Sequence, residues 1–178
     1  MKRFSLGLAA FALSPLLLAA EPTLHIDDPD RMLPADTEQS VEAKLAGFEQ
    51  TAGVRMIVQF HAKSPSAEED KVPGAYMHAL AAKLDVARHG VLVVYFADDP
   101  DWRVWIGDEL TARFAGKPGT VRELTDSGAI HDAKEAMLTA ARGKAEAGFK
   151  KSPTPTPAQH LALQTDALIE ALFARLRP

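Results

Sequence analysis

A run of six consecutive apolar residues, Val91–Phe96, constrains the fold more than any other stretch of the sequence. The run is rich in β-branched and aromatic side chains and follows Gly90, a pattern typical of a strand buried on both faces. An Asp-Asp-Pro-Asp segment, residues 98–101, comes next. The following residues divide between two faces, Trp102, Val104 and Ile106 on one and Arg103 and Trp105 on the other. This alternation is typical of a half-buried strand, so the two segments predict an antiparallel hairpin with an acidic turn.

The segments before this hairpin set the topology. Val54–Phe60 predicts another strand, and apolar stripes at helical spacing predict a helix on each side of it, near residues 36–52 and 73–89. A strand, a helix and a second strand joined by a crossover of this length predict two parallel strands. We therefore expect an α/β fold: a three-layer αβα sandwich with a small mixed β-sheet flanked by helices.

The beginning of the chain predicts a secretory signal peptide, residues 1–20. Lys2-Arg3 supplies a positive start, residues 4–18 are mostly apolar, and Ala19-Ala20 supplies small residues at the cleavage site. A retained membrane anchor is the alternative, although the apolar stretch is short for a span. Cleavage would leave a periplasmic or secreted chain with no integral membrane span.

Composition excludes several classes of partner. Without residues 1–20 the chain has 18 basic and 24 acidic side chains, a net charge of −6, and no cluster of Lys or Arg. We therefore expect no binding to nucleic acid or to an anionic membrane surface. The sequence also contains no Cys, which excludes disulfides and thiol chemistry.

The remaining chain divides into three parts. Residues 21–149 carry the predicted α/β domain. Residues 150–157 contain three Pro and predict an extended linker. Residues 158–178 predict an amphipathic C-terminal helix with enough apolar surface to dock on a protein.

Four aspartates are the strongest candidates for a site: Asp28, just after a short strand predicted at residues 23–26, and Asp98, Asp99 and Asp101 in the acidic turn. Ligands of open α/β sheets bind beyond the carboxyl ends of the parallel strands, where we expect these residues and His61. Clustered carboxylates repel one another unless a hard cation lies between them, and Ca²⁺ takes about six to eight oxygens. The sequence therefore predicts a pocket for Ca²⁺ or another divalent cation. The alternative is an ordinary solvated turn, because Asp and Pro favour turns for backbone reasons.

Over residues 26–148 the order of motifs resembles the TPM domain family. The matching segments are Ile26-Asp27-Asp28 with Leu33, Thr51-Ala52-Gly53-Val54, His89-Gly90-Val91-Leu92 and Gly107-Asp108-Glu109-Leu110. His89 stands where the family has Asn, and Glu109 stands where it has a second Gly. The resemblance implies an exported or membrane-tethered αβα module. Some members of the family bind calcium or show weak acid phosphatase activity, and others assist the assembly or repair of membrane complexes.

Two functions follow as expectations. The first is an exported accessory or binding module of the cell envelope, with a divalent-cation pocket, that assists assembly or maintenance of a membrane complex. The second is a metal-assisted, acid phosphatase-like hydrolase of phosphomonoesters. Only Arg88, Arg103 and Lys63 are candidates to hold a phosphate near the aspartates, which favours the binding module. No catalytic residue is predicted.

Overall fold

A computed structural model describes residues 24–153 and 155–178. The predicted signal peptide, residues 1–20, lies outside the described residues. Within the described ranges the chain forms a four-stranded sheet with helices on both faces. The predicted α/β sandwich is confirmed.

The sheet is mixed, as the order of elements predicts. Its strands are β1 (Ile26–Asp27), β2 (Met56–His61), β3 (Val91–Phe96) and β4 (Asp101–Ile106), in the spatial order β1-β2-β3-β4. β1, β2 and β3 run parallel, and β4 pairs antiparallel with β3. The predicted hairpin is therefore present, with β4 at one edge of the sheet and the two-residue β1 at the other.

The described residues include six α-helices and one short 3₁₀-helix. The α-helices are α1 (Ala35–Ala52), α2 (Ala75–Lys83), α3 (Thr111–Ala115), α4 (Val121–Asp126), α5 (Ala129–Phe149) and α6 (Pro157–Leu176), and the 3₁₀-helix is Asp108–Leu110. α1 ends at Gly53, whose left-handed backbone (φ 65°) lets its N–H bond the Glu49 carbonyl. That conformation suits glycine, which accounts for the position of Gly53 before β2.

Alternation along the strands produces two cores on opposite faces of the sheet. Val58 and Phe60 belong to the larger core, which α1, α3, α5 and α6 cover. Ile57 belongs to the smaller core, which α2 covers. Trp102 packs against the larger core and Trp105 against the smaller one, so the predicted division of β4 between two faces is confirmed.

α6 packs on the body of the domain. The Thr156 hydroxyl accepts a hydrogen bond from the Gln159 N–H at 3.2 Å and caps the start of the helix. The Phe173 ring stacks on Phe48 of α1, with 4.0 Å between ring centroids. Lys44 of α1 also pairs with Asp166 of α6. In the described parts of the chain, no helix is both long and apolar enough to cross a membrane.

A buried histidine holds β1 against α1. His25 is 6% exposed, and its two ring nitrogens lie 2.7 Å from a Glu42 oxygen and 2.5 Å from a Glu49 oxygen. The other Glu42 oxygen accepts the backbone N–H groups of His25 (2.8 Å) and Ile26 (3.1 Å). One carboxylate thus satisfies the outer edge of β1. We call this group the His25 clamp.

The His25 clamp predicts a pH-dependent stability. Burial lowers the pKa of His25, but hydrogen bonds and charge attraction from Glu42 and Glu49 outweigh burial, so the pKa lies above 6.5. The protonated ring therefore contributes stability that is fully present below pH 6.5 and is lost as pH rises through the raised pKa. We expect urea unfolding to show a fall in the free energy of unfolding above pH 6.5. The His25→Gln variant should lack this component, and equal slopes in both proteins would contradict the assignment.

Candidate functional site

The carboxyl ends of β1, β2 and β3 form one edge of the sheet, where the sequence places the four aspartates. Asp28 directly follows β1, Asp98 and Asp99 follow β3, and Asp101 begins β4. β2 lies between β1 and β3, so the backbones that carry Asp28 and Asp98 belong to strands two positions apart. That separation is roughly 10 Å, since neighbouring strands lie about 4.8 Å apart.

The Asp28 carboxylate stabilises the connection from β1 to α1. It is 8% exposed, and its two oxygens accept the N–H groups of Met32 (2.9 Å) and Leu33 (2.8 Å). These bonds fix the turn in which Arg31 adopts a left-handed backbone (φ 53°). Asp28 therefore satisfies backbone donors of its own loop, which explains a buried carboxylate at this position.

Asp98 holds two loops together. One oxygen accepts both the backbone N–H (2.8 Å) and the hydroxyl (2.9 Å) of Ser64, in the loop after β2. The hydrogen bond from the Ser64 hydroxyl is the largest cause of the lowered pKa of Asp98. Asp99 and Asp101 are exposed.

In the described ranges, no group of three or more His, Asp or Glu side chains is placed to hold a metal ion. Asp28, Asp98, Asp99 and Asp101 do not form a preorganised ligand set, and the oxygens of Asp28 and Asp98 already accept hydrogen bonds. These residues as they stand do not fit a bound Ca²⁺. The cation site stays a prediction of the sequence.

A chain of four hydrogen-bonded side chains lies at the same edge, on the face covered by α2. The Gln59 amide donates to Asp27 at 3.0 Å, the Gln59 oxygen lies 3.3 Å from His61 Nε2, and the Tyr76 hydroxyl lies 3.2 Å from His61 Nδ1. Asp27 and Gln59 are direct neighbours in the β1–β2 ladder. We call this series the Asp27–Tyr76 chain.

The donor and the acceptor of each hydrogen bond in the Asp27–Tyr76 chain follow from the groups that its side chains carry. Because the Gln59 amide group donates to a carboxylate, its oxygen accepts, and His61 Nε2 must carry the proton. His61 Nδ1 then accepts the Tyr76 hydroxyl. Burial lowers the pKa of His61 and raises the pKa of Tyr76, so both side chains are neutral near pH 7. With His61 and Tyr76 neutral and hydrogen-bonded to each other, the chain fixes the edge of the sheet but has no activated nucleophile.

Of the three cations considered for a phosphate, Arg103 and Arg88 are paired with carboxylates, and Lys63 is exposed in the loop after β2. Arg103 donates to Asp70 at 2.7 Å and lies over the Phe96 ring, 5.1 Å from its centroid. Arg88 lies at the opposite end of β3, where it donates to Glu109 at 2.8 Å. Neither guanidinium is arranged to receive a phosphate without losing a carboxylate partner.

A different surface lies along the other side of β4, facing α5. One recess, of about 340 Å³, is lined by Trp105, Ile106, Asp108, Thr111, Val121, Thr125, Ile130, His131 and Lys134. A smaller recess, of about 40 Å³, is lined by Pro100, Trp102, Leu138, Ala141, Arg142, Gln164 and Leu168. The start of α5 thus lies beside the end of β4, so the two elements run antiparallel. We call the two recesses together the β4–α5 groove.

Lys134 is the cation of the larger recess. Desolvation by the surrounding side chains lowers its pKa. Among the described residues neither Lys134 nor Arg142, at the smaller recess, has a carboxylate oxygen within ion-pair distance. Apolar walls beside unpaired cations distinguish this groove from the carboxyl edge, where Arg103 is paired with Asp70 and Lys63 is exposed to solvent in a loop.

Comparison with solved structures identifies the fold. The chain is similar to the N-terminal domain of a protein from P. gingivalis, with a TM-score of 0.57, 17% identity, and coverage of 88% of this chain and 87% of that one. The two domains share a fold. The N-terminal domain of a Corynebacterium glutamicum protein matches with a TM-score of 0.48, 13% identity, and coverage of 95% of this chain and 88% of that one. No family model matches the sequence, and no curated protein matches it.

Sequence reasoning missed three features of these sites. Gln59 and His61 are polar residues in an otherwise apolar strand, and their same-face spacing is a signal that could have indicated the Asp27–Tyr76 chain. Glu42 and Glu49 lie seven residues apart on one helix face, but nothing local links them to His25. The third feature is the groove, whose signal along the chain is the placement of Trp102 and Trp105 on opposite faces of one strand.

Proposed function

We propose that this protein is an exported accessory module of the TPM type that binds another protein of the cell envelope. The order of the TPM-like motifs and the shared fold support the family, and the β4–α5 groove supports the function. Its binding would assist assembly or maintenance of a membrane complex. The single observation that carries the proposal is a partly apolar groove, with unpaired cations, along an edge strand of the sheet.

A groove of this kind suits a protein partner. Trp102 and Trp105 are both half-buried at its walls, and aromatic side chains with one exposed face are enriched where proteins bind one another. Val121, at the rim of the larger recess, is 37% exposed. An apolar wall exposed on a soluble domain is a common mark of an interaction surface.

The phosphomonoesterase alternative has less support. A phosphate dianion needs cationic or N–H donors, and of the three candidate cations Arg88 and Arg103 are already bound to carboxylates, which leaves the exposed Lys63. The aspartates that would hold the metal bond backbone and hydroxyl donors instead. In this proposal the aspartates at the carboxyl edge are structural, and their hydrogen bonds hold the loops in place.

Hydrolysis of p-nitrophenyl phosphate by the purified chain, with Ca²⁺ and with EDTA, separates the two functions. We expect no turnover above that of an Asp98→Asn variant. Turnover that follows the wild-type chain through purification and disappears in Asp98→Asn would contradict the binding module. Thermal melting of the same samples tests the cation: a Ca²⁺-dependent rise in Tm that is lost in Asp98→Asn supports the predicted site, and an unchanged Tm speaks against it.

Site-specific photo-crosslinking tests the binding surface. A photoreactive amino acid at Thr125, on the exposed rim of the larger recess, should cross-link to a discrete partner in cells that produce the chain. The Lys134→Glu change should weaken this adduct, and a photoreactive group at exposed Gln50 on α1 should give none. Identical adducts from Thr125 and Gln50 would overturn the assignment of the groove.

A further inference from the structure

We infer that the β4–α5 groove binds an extended, acidic and apolar segment of the partner, which adds to the sheet as a fifth strand beside β4. This inference rests on the proposed function and specifies its partner. Three observations carry it: an open strand edge, two recesses at matching spacing, and two unpaired cations on α5.

The outer edge of β4 is open to pairing. Gly107 N–H donates to the Gly90 carbonyl, whereas Val91 N–H donates to Arg55. In an antiparallel pair the residues alternate, so Asp101, Arg103 and Trp105 bond to β3 and the residues between them face outwards. The outward N–H and C=O groups belong to Trp102, Val104 and Ile106. Among the described residues, no hydrogen bond to these groups is present.

The opposite edge of the sheet differs in this respect. There Glu42 accepts the outward N–H groups of His25 and Ile26, so the edge of β1 is closed by a side chain. Natural proteins usually cover or charge exposed strand edges because they pair with other chains. An open six-residue edge strand beside an apolar groove is therefore suited to pairing with another chain.

The recesses have the spacing of side chains on an added strand. They lie at Trp102 and Ile106, four residues apart on β4, a distance of roughly 13 Å. On an extended segment, side chains at positions i and i+4 point to the same face at this distance. Peptides that bind by strand addition gain affinity from main-chain bonds and specificity from pockets for alternate side chains.

The cations that line the groove favour an acidic partner segment. Lys134 and Arg142 lie eight residues apart on α5, which is about 12 Å along the helix, so one cation lies beside each recess. Asp108 is the one carboxylate among the residues that line the two recesses, against Lys134, Arg142 and His131. A carboxylate from the partner would restore the charge that desolvation disfavours on Lys134. A second copy of this chain would instead set Lys134 and Arg142 against the same cations.

Synthetic peptides test the inference. The probe is a nine-residue peptide with Ile at positions 3 and 7 and Glu at positions 1, 5 and 9, all on one face of an extended chain, and Thr at the positions between them. The readout is tryptophan fluorescence, because the only two Trp of the chain, Trp102 and Trp105, both lie on β4. We expect saturable binding. A peptide with Lys in place of Glu, and one N-methylated at alternate positions to block main-chain bonds, should each bind at least tenfold more weakly.

Charge-reversal variants test whether Lys134 and Arg142 bind the acidic peptide. Lys134→Glu and Arg142→Glu should each raise the Kd of the acidic peptide about tenfold, whereas Lys144→Glu, the same charge change on an exposed part of α5 outside the groove, should leave it within about twofold.

Absence of binding, or equal binding of the N-methylated peptide, would overturn the added-strand mode. If cross-links from Thr125 persist in that case, the proposed function survives and only this partner chemistry fails. Concentration-dependent sedimentation as a dimer, with a matching change in the fluorescence of Trp102 and Trp105, would overturn it in favour of self-association.

Discussion

Replacing Gly107 with alanine is expected to lower the free energy of unfolding by about 3 kcal/mol or more. A Cβ at this position would lie 2.6 Å from the carbonyl oxygen of Arg88 and 2.7 Å from that of Gly90. Both neighbours are backbone atoms, so no side chain can rotate away. The strain would fall on the Gly107 N–H to Gly90 C=O bond that ends the β3–β4 ladder.

Urea denaturation followed by circular dichroism measures this change. The matched control is Gly143→Ala in the middle of α5, where a Cβ would meet nothing within 4 Å. There we expect no loss and a gain of up to about 1 kcal/mol, because alanine favours the helix. If Gly107→Ala were as stable as wild type, the close approach of the two backbones would be wrong.

The second large effect is expected from Glu42→Ala, which should lower the free energy of unfolding by about 2–3 kcal/mol. This carboxylate accepts two backbone N–H groups and one ring nitrogen. Its removal leaves donors of His25 and Ile26 without partners near the core, and it takes away one of the two charges that stabilise the protonated His25 ring. The loss should therefore be greater at pH 6 than at pH 8.5, since the pKa of His25 is raised by these carboxylates.

Gln50→Ala is the matched control for this change. Gln50 is exposed on the same helix and its side chain makes no hydrogen bond in the described chain, so we expect an effect within about 0.5 kcal/mol. A Glu42→Ala protein that unfolds like the control at both pH values would mean that β1 is held by the sheet alone.

The glycines of the TPM-like motifs have structural reasons. Gly90 and Gly107 face each other across the hairpin, and a Cβ on Gly90 would lie 2.7 Å from the Arg55 carbonyl oxygen. Gly53 ends α1 in the left-handed conformation. These motifs therefore report the fold, because close backbone approach and helix termination require them. They carry no information about catalysis, which is consistent with the binding surface proposed along β4.

The sheet was predictable because its signals are local. Each signal of the hairpin spans fewer than ten residues: the apolar run of β3, the alternation of β4 and the turn between them. Together they specify an antiparallel pair. The order of strand, helix and strand then specifies parallel pairing, which β2 and β3 confirm. The aspartates were correctly expected near the carboxyl edge, because strand direction alone places them there.

What the sequence determined by itself is therefore the set of elements, their faces and the edge of the sheet at which its acidic loops end, since periodicity and turn chemistry act between near neighbours. Only the tertiary structure decided which hydrogen-bond partner each polar group has. Asp98 meets Ser64 across 34 residues, His25 meets Glu49 across 24, and Asp27 meets Gln59 across 32. Such contacts depend on how helices pack on the sheet, and packing also leaves Lys134 and Arg142 facing an open strand. Buried polar groups take the partners that packing brings to them, and no spacing along the chain specifies those partners.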